Sequence, residues 1–393
     1  MNTYLVGGAV RDQLLRFPYH EKDWVVVGST PDDLLAQGYT PVGKDFPVFL
    51  HPKTHEEYAL ARTERKTAPG YKGFTFHTDK HISLEEDLQR RDLTINAIAM
   101  NEAGEIIDPY GGQRDLDNKY LRHVSSAFNE DPVRILRVAR FMARYYHLGF
   151  RVADETLELM QQMVIQGETR ALVAERVWQE MEKALHERHP EQFFITLQKC
   201  GALKDILPSA SSIQNVIDTA DMSSITGTLA PLLHAIDHHK LQHITNEKWT
   251  IHQAMVHFSA FCFIFNTEDI AKICQQLSAP NHFTIMATRL KQYFNLCTDS
   301  TQWSTSSLSK LFKQCDAIRK PESFKHLLNA CRAIDDGDER KSADNSTRLL
   351  EALHAYQAVD HQALMQQGFE KAALGKAIQQ QREQQLSDWL KRC

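Results

Sequence analysis

The sequence predicts an α+β protein, with a strand-rich N-terminal part carrying helices and an all-helical remainder. Two observations carry that prediction. Short β-branched and aromatic runs punctuated by glycine and proline recur as far as Asp108. From Glu130 onward they give way to long amphipathic patterns such as TRALVAERVWQEMEKALHE.

The elements follow in order. Tyr4-Leu5-Val6 reads as a strand that stops at Gly7-Gly8, and Asp23-Trp24-Val25-Val26-Val27 reads as a second strand closed by Gly28. Further strand signals lie at 47–51, 57–62 and 105–108. The polar, aperiodic stretch between Arg62 and Ile82 predicts a mobile loop. Ser83 with Glu86 three residues later forms a capping box, opening a helix expected to carry LQRRDLTINAIAM. The segment 130–151 predicts a long helix, and EKAALGKAIQQQREQQLSDWL a charged, glutamine-rich one near the end. Boundaries are expected near 130 and 207, dividing the chain into 1–129, 130–206 and 207–393.

Composition narrows the function. The chain has 393 residues, 42% hydrophobic and 24% charged, as expected of a globular protein with two or three domains. A net charge of −5 excludes a uniformly basic nucleic-acid coat, so any RNA contact must come from local patches. Seven cysteines, all at or beyond Cys200, lack C-x-x-C spacing and suit a reducing compartment with buried thiols. The N-terminus enters a strand without a basic n-region, and the longest apolar stretch, 254–265, is too short to span a bilayer. A cytoplasmic protein without membrane attachment is expected.

Three groups of residues carry chemistry. Gly7 and Gly8 between a strand and a helix allow backbone N–H groups to approach a phosphate, with Arg11 adding a forked charge; the same residues also suit a plain tight turn. GGAVRD is neither a dinucleotide fingerprint nor a P-loop. Glu21 and Asp23, two apart on a strand, share a face, and hard oxygen donors of this kind suit Mg²⁺ completed by substrate phosphates. Glu57 on a neighbouring strand is the candidate third carboxylate. In EDPVRILRVARFMARYYHLGFR, Arg134, Arg137, Arg140 and Arg144 fall within an arc of roughly 120°, with Asp131 one turn from Arg134.

Together these features describe a nucleotide-transfer site. YLVGGAVRD followed by E-K-D-W resembles the nucleotidyltransferase signature of the DNA polymerase β superfamily. RRDLTINA (90–97), DPYGG (108–112) and EDPVRILRVARF (130–141) resemble further motifs of bacterial class II CCA-adding enzymes. KDFPVFLHPKTHEEYALARTERK (44–66) looks like the CCA-adding branch more than the polyadenylating one, whose basic tail a pI near 6.4 does not suggest.

The resemblance implies a polymerase β-like head over 1–129, a helical neck over 130–206, and a tRNA-binding body and tail over 207–393. It implies template-independent addition of C, C and A to the 3′ end of tRNA from CTP and ATP, with Mg²⁺ and no stable protein partner. It assigns Gly8 and Arg11 to the triphosphate and Glu21 and Asp23 to metal. It gives Arg91, Arg137 and Arg140 to the nucleotide, and Asp131 and Arg134 to the incoming base. The loop at 62–82 would take part in switching from C to A. A specialised A-adding or CC-adding enzyme, a poly(A) polymerase, and an inactive tRNA-binding protein stand as alternatives.

Two departures stand out. The family's metal pair is usually Asp-x-Asp, whereas this chain has Glu21. Relatives with a C-terminal phosphohydrolase carry a His-Asp pair, and this chain has no His-Asp dipeptide; Asp237-His238-His239 and Asp360-His361 run the other way. His234, His239, His252 and His257 are therefore expected to be surface or core residues.

Overall fold

The computed structural model describes residues 1–19, 21–42, 48–66, 74–208, 229–233, 235–236, 250–335 and 339–392. Two compact units divide the chain, Met1–Ile206 and Leu207–Cys393.

The first unit is built on a seven-stranded sheet. In chain order its strands are β1 (Asn2–Val6), β2 (Asp23–Val27), β3 (Thr40–Val42), β4 (Val48–Leu50), β5 (Glu57–Leu60), β8 (Ala99–Asn101) and β9 (Ile106–Ile107). Their spatial order is β3-β4-β5-β2-β1-β8-β9. All neighbours run antiparallel except β2 and β5, which pair in parallel with Asp23 opposite Glu57. Alternation along β2 feeds two cores: Val25 packs with Val6, Leu88 and Ala99, while Val26 packs with Leu34, Phe49 and Leu60. Asp23 therefore shares its face with Val25, and Glu57 with Ala59.

Gly7 sits between β1 and helix α1 (Gly8–Leu14) at a φ of 69°, a conformation for which glycine is suited. Helix α2 (Pro31–Ala36) is opened by a capping box from Thr30 and Asp33. The expected capping box of Ser83 and Glu86 is present at the start of α3 (Leu84–Gln89). That helix does not continue through RRDLTINAIAM. Asp92 turns the backbone by accepting from Leu93 N–H at 2.9 Å and from the Asn96 amide at 2.9 Å. Thr94–Asn96 is a single 3₁₀ turn, and Ala99–Asn101 is claimed by the open edge of β1. Helix α4 (Gly112–Asn118) begins inside DPYGG, where Asp108 accepts from the N–H groups of Gly112 and Gln113.

The stretch expected as a loop between Arg62 and Ile82 holds paired structure. Strands β6 (Arg62–Lys66) and β7 (Phe74–Thr78) form an antiparallel hairpin, and residues 67–73 lie outside the described residues. The arginine-rich helix, α5, is shorter than expected at Val133–Tyr145: Pro132 opens it, and Gly149, at a φ of 84°, follows the 3₁₀ turn that ends it. Strands do not cease at Glu130, because β11 (Arg151–Val152) pairs in parallel with β10 (Tyr120–Leu121). Helices α6 (Asp154–Ile165), α7 (Ala174–Leu185), α8 (Glu191–Lys199) and α9 (Leu203–Ile206) complete the unit. The buried face of α5, including Ile135, Leu136, Ala139 and Ala143, packs in this unit.

The second unit is helical throughout its described residues, from Thr250–Cys262 to Lys371–Leu390. Its core includes Leu290, Phe312, Phe324, Leu328 and Tyr356. The described cysteines are free and buried. His257 is 1% exposed within Thr250–Cys262, whereas His234, His239 and the His252 side chain lie outside the described residues.

A Cβ at Gly112 would lie 2.3 Å from the Thr94 carbonyl oxygen and 2.6 Å from Ile98 Cγ1. The close approach fastens α4 to the turn that carries Asp92 and Asn96. Gly112→Ala is therefore expected to cost about 2 kcal/mol or more through overpacking. Thermal unfolding checks this, and a melting temperature equal to wild type would show that the contact yields freely.

Candidate active site

An open cavity of about 590 Å³ lies in the first unit, at the β1–α1 turn, the exposed ends of β2 and β5, and the arginine face of α5. Gly8, Arg11, Asp23, Glu57, Arg91, Asp131, Arg134, Arg137 and Arg140 all line it. Of the sequence-predicted site residues, only Glu21 does not. It precedes β2, is exposed, and acts on Asp23 through space.

Nine arginines and four acids line the cavity, so an acidic protein encloses a strongly positive space suited to a polyanion. Such a concentration of like charge requires anchors. Buried Asp87 accepts from Arg90 at 2.8 Å and from Arg91 at 3.3 Å. Burial pushes the Asp87 carboxyl up, but Arg90 and Arg91 outweigh it and hold the pKa below the usual value. Asp92 accepts from Arg137 Nε at 2.6 Å, and Glu180 on α7 accepts from Arg140 Nε at 2.6 Å. Arg134, 7% exposed, donates to the carbonyl oxygens of Ala127 at 2.8 Å and Arg90 at 2.6 Å. The helical stripe is thus no solvated face; each head group is aimed by a partner.

Asp131 has two partners besides the helix turn linking it to Arg134. Its Oδ1 accepts from Val133 N–H at 3.1 Å, capping the start of α5. Its two oxygens also take Arg176 of α7, at 3.1 and 2.8 Å, in a forked pair. Asp131 and Arg134 stand side by side at the start of α5, and Arg176 is an additional partner that holds the carboxylate. Sequence reading missed Arg176, since a pair separated by 45 residues leaves no local pattern. Asp92, Asn96 and Arg90 were missed as site residues although RRDLTINA contains them; Arg144 stood in the stripe without an assigned role.

Asp23 feels both its acidic neighbour Glu21 and the cation of Arg91. Water reaches Asp23, yet the surrounding protein desolvates its carboxyl enough to raise the pKa; Arg91 opposes the rise and Glu21 adds to it. Among the described residues no three His, Cys, Asp or Glu side chains converge as metal ligands. Glu57 is in register with Asp23, but Glu21, Asp23 and Glu57 do not form such a set. Asp23 with Glu57 in register beside it offers hard oxygen donors suited to a divalent cation whose remaining ligands are phosphate oxygens and water.

A glycine turn beside strand-borne carboxylates, facing a bank of guanidinium groups, defines a nucleotidyltransferase. Comparison with known proteins carries the assignment further. The family described as "Poly A polymerase head domain" matches residues 3–122, and "Probable RNA and SrmB- binding site of polymerase A" matches residues 149–213. A "Multifunctional CCA protein" of Teredinibacter turnerae is 45% identical over 98% of this chain and 97% of its own. A "CCA-adding enzyme" of Pseudomonas putida is 44% identical over 97% of each. The chain belongs to the bacterial CCA-adding enzyme family. Its fold is also that of the crystallised CCA-adding enzyme of Bacillus stearothermophilus in complex with CTP: TM-score 0.66, 22% identity, over 96% of this chain and 86% of the other. No helix among the described residues is long and apolar enough to cross a membrane.

The Asp92–Arg137 pair generates a pH prediction. Burial raises the Asp92 pKa, but Arg137, Asn96 and Arg134 together pull it well below the ordinary 3.8. The stabilisation is therefore fully present above about pH 4 and is lost as pH falls through the lower folded-state value. Asp92→Asn should cost about 2 kcal/mol at neutral pH, with the gap to wild type narrowing as the pH drops below about 4. Urea unfolding across that range checks it. A gap constant with pH would mean that the charge contributes nothing.

Proposed function

We propose that this chain is a tRNA nucleotidyltransferase that completes and repairs the 3′-terminal CCA of tRNA from CTP and ATP. The observation that carries the proposal is the single cavity holding the glycine turn, the strand carboxylates and the arginine face of α5 together. The 3′-hydroxyl oxygen of the tRNA forms a bond to the α-phosphorus of the nucleotide, its proton is lost, and the bond to the departing pyrophosphate breaks. No nucleic-acid template is needed if the protein reads the base.

Within this reading Asp23 would hold Mg²⁺ from the cavity wall and Glu21 would reach it from just outside, with Glu57 beside Asp23 as a further carboxylate at the reacting centre. The bound ion supplies charge neutralisation for the attacking and leaving oxygens. Gly8 and Arg11 receive the triphosphate. Arg91, Arg137 and Arg140, each aimed by an acid or a carbonyl, meet phosphate and sugar. Preorganised charges of this sort require no reorganisation during reaction.

Asp131 and Arg134 read the base. Cytosine and adenine each present an amino donor beside a ring-nitrogen acceptor, whereas uracil and guanine present a carbonyl beside an N–H. A carboxylate acceptor next to a guanidinium donor complements the first pattern and opposes the second. Arg176 orients the Asp131 carboxylate, and the carbonyl oxygens of Ala127 and Arg90 orient the Arg134 guanidinium beside it.

Two experiments test this function. Asp23→Ala should abolish Mg²⁺-dependent incorporation of labelled CTP and ATP into tRNA lacking its CCA while tRNA binding persists; transfer within about tenfold of wild type would sink the metal assignment. Arg134→Ala should lower CTP and ATP use while narrowing the gap to UTP and GTP by about tenfold or more, since mispaired buried polar groups drive such discrimination. Single-turnover rates with all four nucleotides decide it. Discrimination preserved at the wild-type level would assign base reading to other residues.

A further inference from the structure

Two guanidinium groups that line the cavity share an anchor that does not line it. Asp12 on α1 is 5% exposed, and its carboxylate accepts three hydrogen bonds. The donors are Arg11 Nε at 2.9 Å, Arg144 Nη2 at 3.0 Å and the Tyr145 hydroxyl at 2.9 Å. The other arm of Arg11 donates to Asn96 Oδ1 at 2.5 Å. Tyr145 is fully buried and remains a donor, because burial pushes its phenol well above the ordinary range. The Arg144 side chain is still 32% exposed on the cavity side.

Position along α5 says what Arg144 faces. Arg134 and Asp131 mark the N-terminal end, and Arg144 lies ten residues beyond Arg134, about 15 Å along the helix axis. A nucleotide laid along this face with its base at the first end directs its phosphate tail towards the second. There Arg144 meets Arg11, the neighbour of the glycine turn, through Asp12.

We propose that Arg144 binds the β- and γ-phosphates of the incoming nucleotide, and that Asp12 is the positioning residue that aims Arg144 and Arg11 together. The inference rests on the nucleotidyltransferase reading and adds to it a phosphate ligand and the carboxylate behind it. Asp12 itself touches no substrate. Its charge offsets two adjacent cations, so that both remain fixed before the polyanion arrives.

The test is equilibrium binding of CTP and CMP to the full chain, wild type and variants, with steady-state kinetics on tRNA lacking its CCA. Arg144→Ala should weaken CTP by about tenfold or more and leave CMP within about twofold, because CMP lacks the two outer phosphates. Asp12→Asn, which keeps size and removes charge, should shift the CTP-to-CMP affinity ratio in the same direction and raise KM more than it lowers kcat. If Asp12 served only the fold, its variant would lower the unfolding midpoint and leave that ratio unchanged. That result, or parallel loss of CTP and CMP affinity in Arg144→Ala, overturns the proposal while wild-type extension of tRNA stands. A wild-type chain unable to extend tRNA would overturn the underlying function and the proposal with it.

Discussion

Repulsion among nine guanidinium groups around one cavity is the constraint on which the rest of this site depends. Unopposed, these charges would turn outward to water. Carboxylates set behind or beside them offset that tendency: Asp87 behind Arg90 and Arg91, Asp92 behind Arg137, Glu180 behind Arg140, and Asp12 behind Arg11 and Arg144. Asp92 is itself fixed by the Leu93 N–H and the Asn96 amide, and Asp12 by the Tyr145 hydroxyl, so their guanidinium partners are held beside the cavity. The outcome is a positive surface fixed in advance, with local field where the whole chain is acidic.

Much of the first unit was legible because its signals are local. The β-branched run Asp23–Val27 and the capping box of Ser83 and Glu86 are properties of adjacent residues, and both stand where the sequence indicates. Misreadings arose where a partner distant in sequence decides. Ala99–Asn101 has helix-compatible neighbours, but the open edge of β1 recruits it as a strand. Arg151–Val152 is a strand only because Tyr120–Leu121 lies beside it. In the hairpin of Arg62–Lys66 and Phe74–Thr78 the first strand is wholly polar and only Phe74 and Phe76 alternate on the second, so its pairing left too short a periodic trace.

The candidate site shows the same division. Gly8, Asp23 and the arginines of α5 could be found because periodicity and turn chemistry mark them, and they do meet in one cavity. What could not be read was how they are held. Arg176 reaches Asp131 from another helix, and Glu180 reaches Arg140 from the same one, at separations of 45 and 40 residues. Glu21 shows the opposite limit: its spacing from Asp23 predicts a shared strand face, but β2 begins only at Asp23, so the glutamate stays outside the cavity wall.

The linkage of Asp12 to Arg144 and Tyr145 spans 132 and 133 residues of chain. During synthesis the strands of the sheet, the last ending at Ile107, emerge from the ribosome before α5 and α7 do. Until they arrive, Asp12 has only its neighbour Arg11 as a cationic partner and Asp92 lacks Arg137. The nascent sheet is therefore electrostatically incomplete, and docking of the arginine helix both closes its charge balance and completes the cavity wall. Competence for nucleotide capture thus waits for α7, which ends at Leu185 of 393 residues, and comes in the same event that completes folding of the unit.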